Sequence, residues 1–155
     1  MDFRDLETVR NCWIVNDGVM GGVSQSRLRH EPEGMVFEGV VSLENNGGFA
    51  STRASVRFSQ GIQNLELSAR GDGKRYKVIL RTQIAPQVTY EAGFLADPTW
   101  QSYRFTTDQF KASFRGRSIA APDLFFADVT EFGILIADKQ DGAFRLQLEA
   151  LKLSA

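Results

Sequence analysis

Histidine and cysteine, which build many catalytic and metal sites, are nearly absent from this sequence. It contains one histidine, His30, and one cysteine, Cys12. A histidine-rich metal centre and a Cys-His zinc set are excluded, because zinc needs several nitrogen or thiolate ligands. No internal disulfide can form either. A Ser-His-Asp triad would have to use His30, which lies in an alternating segment without a nucleophile elbow. We therefore expect a surface or strand-end histidine and no enzymatic activity.

Long apolar runs and an excess of one charge are also missing. No segment approaches the ~18 apolar residues of a membrane-spanning helix, so direct insertion into a membrane is not expected. The N-terminal MDFRDLETVR lacks the apolar stretch of a secretory signal, which favours a cytoplasmic location. Eighteen Lys and Arg balance nineteen Asp and Glu to give a net charge of -1. No basic excess is available to neutralise phosphates, so nucleic acid is not an expected partner.

What the sequence does contain is alternation of apolar and polar residues with a period of two, which is typical of half-buried strands. Met35, Phe37, Val41 and Leu43, for example, share one face of a predicted strand. Turn-forming Gly, Asn and Asp residues separate these segments, and only short helical turns are expected, near 2–9 or 107–113. The pattern predicts one all-β domain over residues 1–155, a sandwich or barrel, with strands at 23–30, 35–43, 49–57, 62–70, 75–83, 88–94, 100–106, 131–138 and 143–153.

Short connections lead to two further expectations about pairing. Residues 44–48, which include Asn45 and Asn46, predict an antiparallel hairpin between the second and third strands. Asp72-Gly73 predicts the same between the fourth and fifth. If these strands share one sheet, its outer face would carry arginines beside tyrosines, a combination suited to recognition. The candidate binding residues on this basis are Arg53, Arg57, Arg70, Arg75, Tyr76, Arg81 and Tyr90.

The glycine-rich segment VNDGVMGGVSQS, residues 15–26, invites comparison with phosphate-binding loops. Its glycines fit neither G-x-G-x-x-G nor G-x-x-x-x-G-K-[ST], and no helical segment follows. A tight turn that braces the fold or touches a partner is the better interpretation, and Asp17 is its main polar candidate.

Acidic residues leave two alternatives open. Asp17, Glu44, Asp72, Asp138 and Asp141 include possible carboxylate pairs for glycoside hydrolysis, but all lie where acids commonly stabilise turns. A structural calcium ion held by Asp17, Asp72 and Asp138 is possible, since calcium accepts oxygen ligands from irregular loops. No other cofactor is expected.

Several separate motifs, spread in order over nearly the whole chain, resemble the complex I intermediate-associated protein 30 family. They are Trp13, Asn16–Ser24, Glu44–Ser51 with Arg53, Arg70–Gly73 with Tyr76, Trp100, Phe114–Arg117, Phe132–Ile134, Asp138 and Gly142–Phe144. The resemblance implies a galactose-binding-like jelly-roll β-sandwich of two antiparallel sheets, in agreement with the alternation.

The resemblance also implies a function. Members of the family act as non-catalytic assembly factors, or chaperones, which bind protein subunits of NADH:ubiquinone oxidoreductase, and related domains serve photosynthetic complexes. A bacterial or cyanobacterial cytoplasm, peripheral to a membrane through a protein partner, is one expected location, and the mitochondrial matrix or plastid is the eukaryotic one. The alternative is a module that binds a carbohydrate or another small ligand on the concave sheet face. Candidate contacts are Asp17, Asn45, Asn46, Arg53, Arg70, Asp72, Tyr76, Arg81 and Tyr90.

Overall fold

The computed structural model describes residues 1–155, except for the side chains of residues 19 and 20. One short helix, α1 (Leu6–Arg10), precedes the strands, and Asp5 caps it by accepting a hydrogen bond from the Glu7 N–H. The strands are β1 (Cys12–Asn16), β2 (Gln25–Glu31), β3 (Gly34–Val41), β4 (Ala50–Ser55), β5 (Asn64–Arg70), β6 (Arg75–Thr82), β7 (Thr89–Leu95), β8 (Gln101–Phe105), β9 (Lys111–Phe114), β10 (Arg117–Ser118), β11 (Val129–Ile136) and β12 (Gly142–Ser154).

The strands form two antiparallel sheets. The larger sheet has the order β1-β4-β11-β6-β7-β9-β10, and the smaller one has the order β2-β3-β12-β5-β8. Most strands turn alternate apolar residues inward, so the two inner faces bury one continuous core. Phe37, Tyr76, Ile134 and Leu146 are fully buried members of that core. The prediction of an all-β sandwich of two antiparallel sheets is confirmed.

Both predicted hairpins are wrong. β3 belongs to the smaller sheet and β4 to the larger one, and β5 and β6 are divided in the same way. The physical reason is that a turn signal shows only that the chain reverses. It does not show whether the next strand pairs with the previous one or crosses the ~10 Å to the facing sheet. Residues 42–49 and 71–74 are therefore crossovers between sheets.

Most of the predicted elements lie close to the observed ones. The nine predicted strands correspond to observed strands with shifts of a few residues at their ends. The expected helical turns are α1 and a 3₁₀ turn at Thr107–Gln109, but Lys111–Phe114 is a strand rather than the end of that turn. Among the residues described, no helix is long and apolar enough to cross a membrane.

Candidate functional site

Asp17 is completely buried beside the crossover from β3 to β4. One carboxylate oxygen accepts a hydrogen bond from the Ser24 N–H at 3.1 Å. The other accepts from the Ser24 hydroxyl at 2.6 Å, from the Gly48 N–H at 2.7 Å and from the Phe49 N–H at 3.3 Å. Burial alone would raise the pKa of Asp17, but these hydrogen bonds lower it below its ordinary value. The carboxylate thus ties the glycine-rich segment to the start of β4.

Two glycines leave the space that Asp17 occupies. A Cβ atom on Gly22 would lie 2.3 Å from the Asp17 Cγ, and one on Gly47 would lie 2.5 Å from its Oδ2. Asn45 and Asn46 are exposed in the same crossover, with left-handed φ values of 56° and 60°. Asp17 and Gly22 therefore make the segment a brace for the crossover.

Asp72 braces the second crossover in a similar way. Its Oδ2 accepts hydrogen bonds from the Tyr76 hydroxyl at 3.0 Å and from the Arg145 N–H at 2.8 Å, and its Oδ1 accepts one from the Lys74 N–H at 3.1 Å. The Lys74 ammonium donates to the Ala143 carbonyl at 2.6 Å. Burial and the Asp72 charge raise the pKa of Tyr76, which keeps its phenol protonated as a donor. Asp72 thus links the β5–β6 crossover to the first residues of β12.

The three aspartates proposed for calcium each have other partners in this structure. Asp17 and Asp72 accept from the groups described above, and Asp138 forms an ion pair with the Lys77 ammonium at 3.3 Å. Among the side chains described, no three His, Cys, Asp or Glu residues are grouped so as to hold a metal ion.

The predicted arginine surface is divided between the two sheets. Arg53 on β4 and Arg81 on β6 lie on the outer face of the larger sheet, on either side of Glu131 on β11. Their nitrogens lie 3.4 and 3.6 Å from the same Glu131 oxygen. Burial and the nearby Arg81 charge lower the pKa of Arg53. Among the described residues, the Arg81 Nε is buried without a hydrogen bond and has Glu131 as its ion-pair partner.

A shallow depression of about 370 Å³ adjoins the same outer face, at the end where β6 begins. Its floor is at Gly93, and Arg75, Lys77, Leu95 and Asp138 surround it. Lys77 also forms an ion pair with Glu91 at 3.3 Å. Lys77 is therefore neutralised by two carboxylates, and Arg75 is the cation that contributes charge to this rim.

Arg70 lies on the smaller sheet, contrary to the prediction that it shares a sheet with Arg53 and Arg81. Its Nε donates to the Gln147 amide oxygen at 3.0 Å, and its guanidinium pairs with Glu33 at 3.0 Å. It also stacks over the Trp100 ring, 4.8 Å from the centroid. These contacts fix Arg70 as part of the sheet surface.

The sequence reasoning missed the main charge cluster of that sheet, which is centred on Glu38. Its carboxylate pairs with Arg27 at 2.6 Å and with Arg29 at 3.0 Å, and Arg145 approaches to 3.7 Å. The hydrogen bond from Arg29 lowers the pKa of Glu38 to about 2 despite its burial, and Arg27 adds to the effect. The available signal was the alternation of Arg27 and Arg29 along β2 opposite Glu38 on β3.

The two tyrosines of the predicted binding set, Tyr76 and Tyr90, do not lie on a surface. Tyr76 is fully buried in the core, and Tyr90 is nearly so, with its hydroxyl donating to the Pro122 carbonyl at 2.6 Å. Neither ring offers a face for stacking against a sugar. Of the predicted arginine and tyrosine set, the structure brings together only Arg53 and Arg81.

The single histidine and the single cysteine both have structural surroundings. His30 is exposed on β2, with its Nε2 2.8 Å from the Arg4 carbonyl oxygen, as expected for a surface histidine. Cys12 lies in β1, and its thiol donates to the Thr8 carbonyl. Burial raises the pKa of Cys12 to about 11, so the thiol stays protonated at neutral pH.

Two facing antiparallel sheets joined by braced crossovers define a galactose-binding-like jelly-roll sandwich. Solved structures share this fold. They include the family 11 carbohydrate-binding module from Clostridium thermocellum in complex with a mixed-linked tetrasaccharide, with a TM-score of 0.62 and 14% identity over 96% of this chain and 91% of that one. The same family of module from a cellulosomal cellulase gives a TM-score of 0.65 and 13% identity over 99% and 92%. At this identity the likeness shows the fold alone.

The sequence shows which family the sandwich belongs to. The model of the complex I intermediate-associated protein 30 family matches residues 1–148, and the chain is a member of that family. A relative in Caenorhabditis elegans, named probable complex I intermediate-associated protein 30, mitochondrial, is 27% identical over 177 residues. The match covers 96% of this chain and 52% of the relative, so the chain spans about half the length of the relative.

Proposed function

We propose that this chain is a non-catalytic protein-binding module that holds subunits of a membrane oxidoreductase of the NADH dehydrogenase (complex I) type while that complex is assembled. The observation that carries the proposal is the family match over residues 1–148, which covers almost the entire sandwich. The name of the nematode relative agrees with it. A photosynthetic complex is the corresponding client if the chain comes from a photosynthetic organism.

The surface chemistry supports a binding role. Asp17 and Asp72, the polar centres of the family-like motifs, are engaged in bracing crossovers, so contact with a client falls to exposed residues. Such a module acts by mass action: it stabilises an assembly intermediate to the extent that it binds it more tightly than the finished complex. Its place of action is the compartment in which the client is built, which is the mitochondrial matrix in a eukaryote and the cytoplasmic side of the membrane in a bacterium.

Affinity purification tests the proposal. The tagged chain is expressed in its source organism, membranes are dissolved in a mild detergent, and bound proteins are quantified by mass spectrometry. A family 11 carbohydrate-binding module with the same tag is the matched control, because it shares the fold. We expect enrichment of subunits from incomplete complex I, or its photosynthetic counterpart, on this chain alone. Equal recovery on both baits would contradict the proposal.

Carbohydrate binding is the alternative, and the similarity in fold to carbohydrate-binding modules is what it rests on. Because Tyr76 and Tyr90 are buried, the two rings predicted to stack on a sugar are not accessible. Arg53 and Arg81 stay candidate contacts for a carbohydrate. Affinity electrophoresis in gels containing mixed-linked β-glucan separates the two proposals. Retardation of this chain together with the carbohydrate-binding module would favour the alternative, whereas unaltered migration favours the protein-binding role.

A further inference from the structure

One end of the sandwich carries exposed apolar side chains and cations that form no ion pair among the described side chains. The Arg115 guanidinium lies over the Phe114 ring, 5.3 Å from its centroid. Thr82 at the end of β6 pairs with Val129, and Thr89 at the start of β7 pairs with Ser113. Three connections therefore lie at the same end of the strands of the larger sheet: the 83–88 loop, the turn between β9 and β10, and the segment before β11. This end is opposite the one at which β4 and β6 begin after the two braced crossovers.

The turn between β9 and β10 presents two arginines. Phe114 pairs with Arg117, and the two residues between them, Arg115 and Gly116, have φ values of 51° and 78°. These values match the type I′ turn of a tight hairpin. The stretch 109–122 contains Lys111, Arg115 and Arg117, and the nearest carboxylates along the chain are Asp108 and Asp123 at its two borders. Lys111 lies opposite Glu91 on β7, whereas Arg115 and Arg117 lie on the hairpin beyond it. Within the described side chains, no ion pair involves these three cations.

Large apolar side chains accompany the cations. Phe125 is 61% exposed, Ile84 is 59% exposed and Phe114 is 40% exposed. Phe125 and Ile84 belong to adjoining segments, because the Asp128 N–H donates to the Phe125 carbonyl and the Gln83 N–H donates to the Asp128 carbonyl. From β6 across β7 and β9 to β10 the sheet extends about 14 Å, because neighbouring strands lie about 4.8 Å apart.

We propose that this open-end surface, formed by Ile84, Phe114, Arg115, Arg117 and Phe125, is the docking site for an acidic segment of a partner protein that also carries apolar side chains. Arginine and aromatic residues are enriched at the centres of protein interfaces, where they contribute most of the affinity. Charge complementarity selects the partner, since cations without internal carboxylates are free to pair with acidic groups. The inference rests on the proposed function and names the surface that performs it.

An anionic membrane surface is a second class of target, and the charge distribution favours it less. Each cation near such a surface contributes little, and stable attachment takes a larger basic cluster or a lipid anchor. The open-end surface has two arginines, on a chain whose net charge is negative. An acidic segment of a protein partner suits this small number of cations better than an anionic membrane does.

The test uses the full chain and detergent-solubilised assembly intermediates of complex I, or of its photosynthetic counterpart, from the source organism. The open-end variant is Phe125→Ser/Arg115→Glu/Arg117→Glu. The matched control variant is Val40→Ser/Arg104→Glu/Lys152→Glu, which changes another exposed apolar residue and two other exposed cations outside the candidate site. Circular dichroism and urea unfolding confirm that both variants fold. We expect the open-end variant to bind the intermediates about 100-fold more weakly, and the control to bind like the wild-type chain.

Each outcome has one interpretation. Loss of binding in the open-end variant alone, with wild-type binding that weakens as salt is added, supports the surface. Equal binding by all three chains, or loss in the control variant alone, overturns the surface and leaves the proposed function intact. Failure of the wild-type chain to bind contradicts the proposed function itself. Binding to vesicles containing phosphatidylserine that depends on the open-end residues, without binding to the intermediates, would overturn the protein partner in favour of a membrane.

Discussion

The two ends of the larger sheet differ in how their polar groups are satisfied. At the braced end, Asp17 and Asp72 together accept seven hydrogen bonds, whose donors come from the glycine-rich segment, from both crossovers, from β6 and from β12. At the open end, Arg115 and Arg117 form no ion pair among the described side chains, and Phe125 and Ile84 are mostly exposed. The polar groups at the braced end stabilise the fold, whereas the arginines and apolar side chains at the open end remain accessible to a partner.

This difference shows that the motifs which mark the family in the sequence are not the residues that form the proposed binding surface. The glycine-rich segment and the Arg-Gly-Asp-Gly motif attract attention in the sequence because they are unusual in composition. The structure explains them by geometry: a carboxylate must reach backbone N–H groups across a crossover, and glycines leave the space. Four predictions, from the largest expected effect to the smallest, test this contrast.

Asp17→Ala should have the largest effect. It leaves the Ser24, Gly48 and Phe49 N–H groups and the Ser24 hydroxyl without their acceptor in a buried site. We expect the free energy of unfolding to fall by about 4 kcal/mol, measured by urea denaturation. Asp123→Ala, at an exposed aspartate, is the control and should change it by less than about 0.5 kcal/mol. Equal stability of the two variants would show that the brace is dispensable.

Gly22→Ala should follow, at about 2 to 3 kcal/mol. The added methyl group would overlap the Asp17 carboxylate, which its hydrogen bonds hold in place. Gly18→Ala is a close control, because a Cβ atom there meets nothing within 4 Å and the residue lies four positions away in the same segment. Thermal and urea unfolding of the two variants should differ clearly; identical curves would mean that the site relaxes without cost.

Acid should weaken the braced end. The pKa of Asp17 is lowered in the folded chain, so its stabilising effect is present above the unfolded value of 3.8 and is lost as the pH falls through the lower folded value. The stability difference between the wild-type chain and Asp17→Asn should therefore shrink as the pH falls below about 3.8. Urea unfolding at a series of pH values measures it. Glu38 titrates in the same acidic range, but it is present in both chains and cancels from the difference.

Phe125→Ser should have the smallest effect on stability. The side chain is 61% exposed, so little apolar surface returns to water when it is removed. We expect a change below about 0.5 kcal/mol in urea unfolding. Phe126→Ser, at the buried neighbouring residue, is the internal comparison and should cost several times more. A large loss for Phe125→Ser would mean that the open end is part of the structural core and is not free for a partner.

The sequence predicted the fold class and most strands for a clear physical reason. A strand with one face in the core must alternate apolar and polar residues, and this alternation can be read directly from the sequence. The choice of pairing partner for a strand is not visible in that way, so the turn signals predict β3–β4 and β5–β6 hairpins that do not form. The sequence identifies Asp17 and Asp72 as candidate polar residues, but a carboxylate in a turn looks the same in sequence whether it accepts from backbone N–H groups or binds a ligand.

The surface residues were the least predictable. Arg53 and Arg81 meet only because β11 lies between β4 and β6, and β11 is separated from both by a long stretch of chain. Tyr76 and Tyr90 looked suitable for an interface by residue type, yet their strand positions turn them inward. The Phe114–Arg117 motif gave no sign of being an exposed tip, because exposure depends on which sheet edge a hairpin extends.

The strand order of the smaller sheet has a consequence for how the chain is made. β12, the last strand in the sequence, lies between β3 and β5, so these two strands have no common neighbour until residues 142–154 have been synthesised. Before that moment, the β2–β3 and β5–β8 pairs expose open edges that other chains can join. Pairing across such long sequence separations is slow. The smaller sheet therefore closes only after its central strand, the last one in the sequence, has been made.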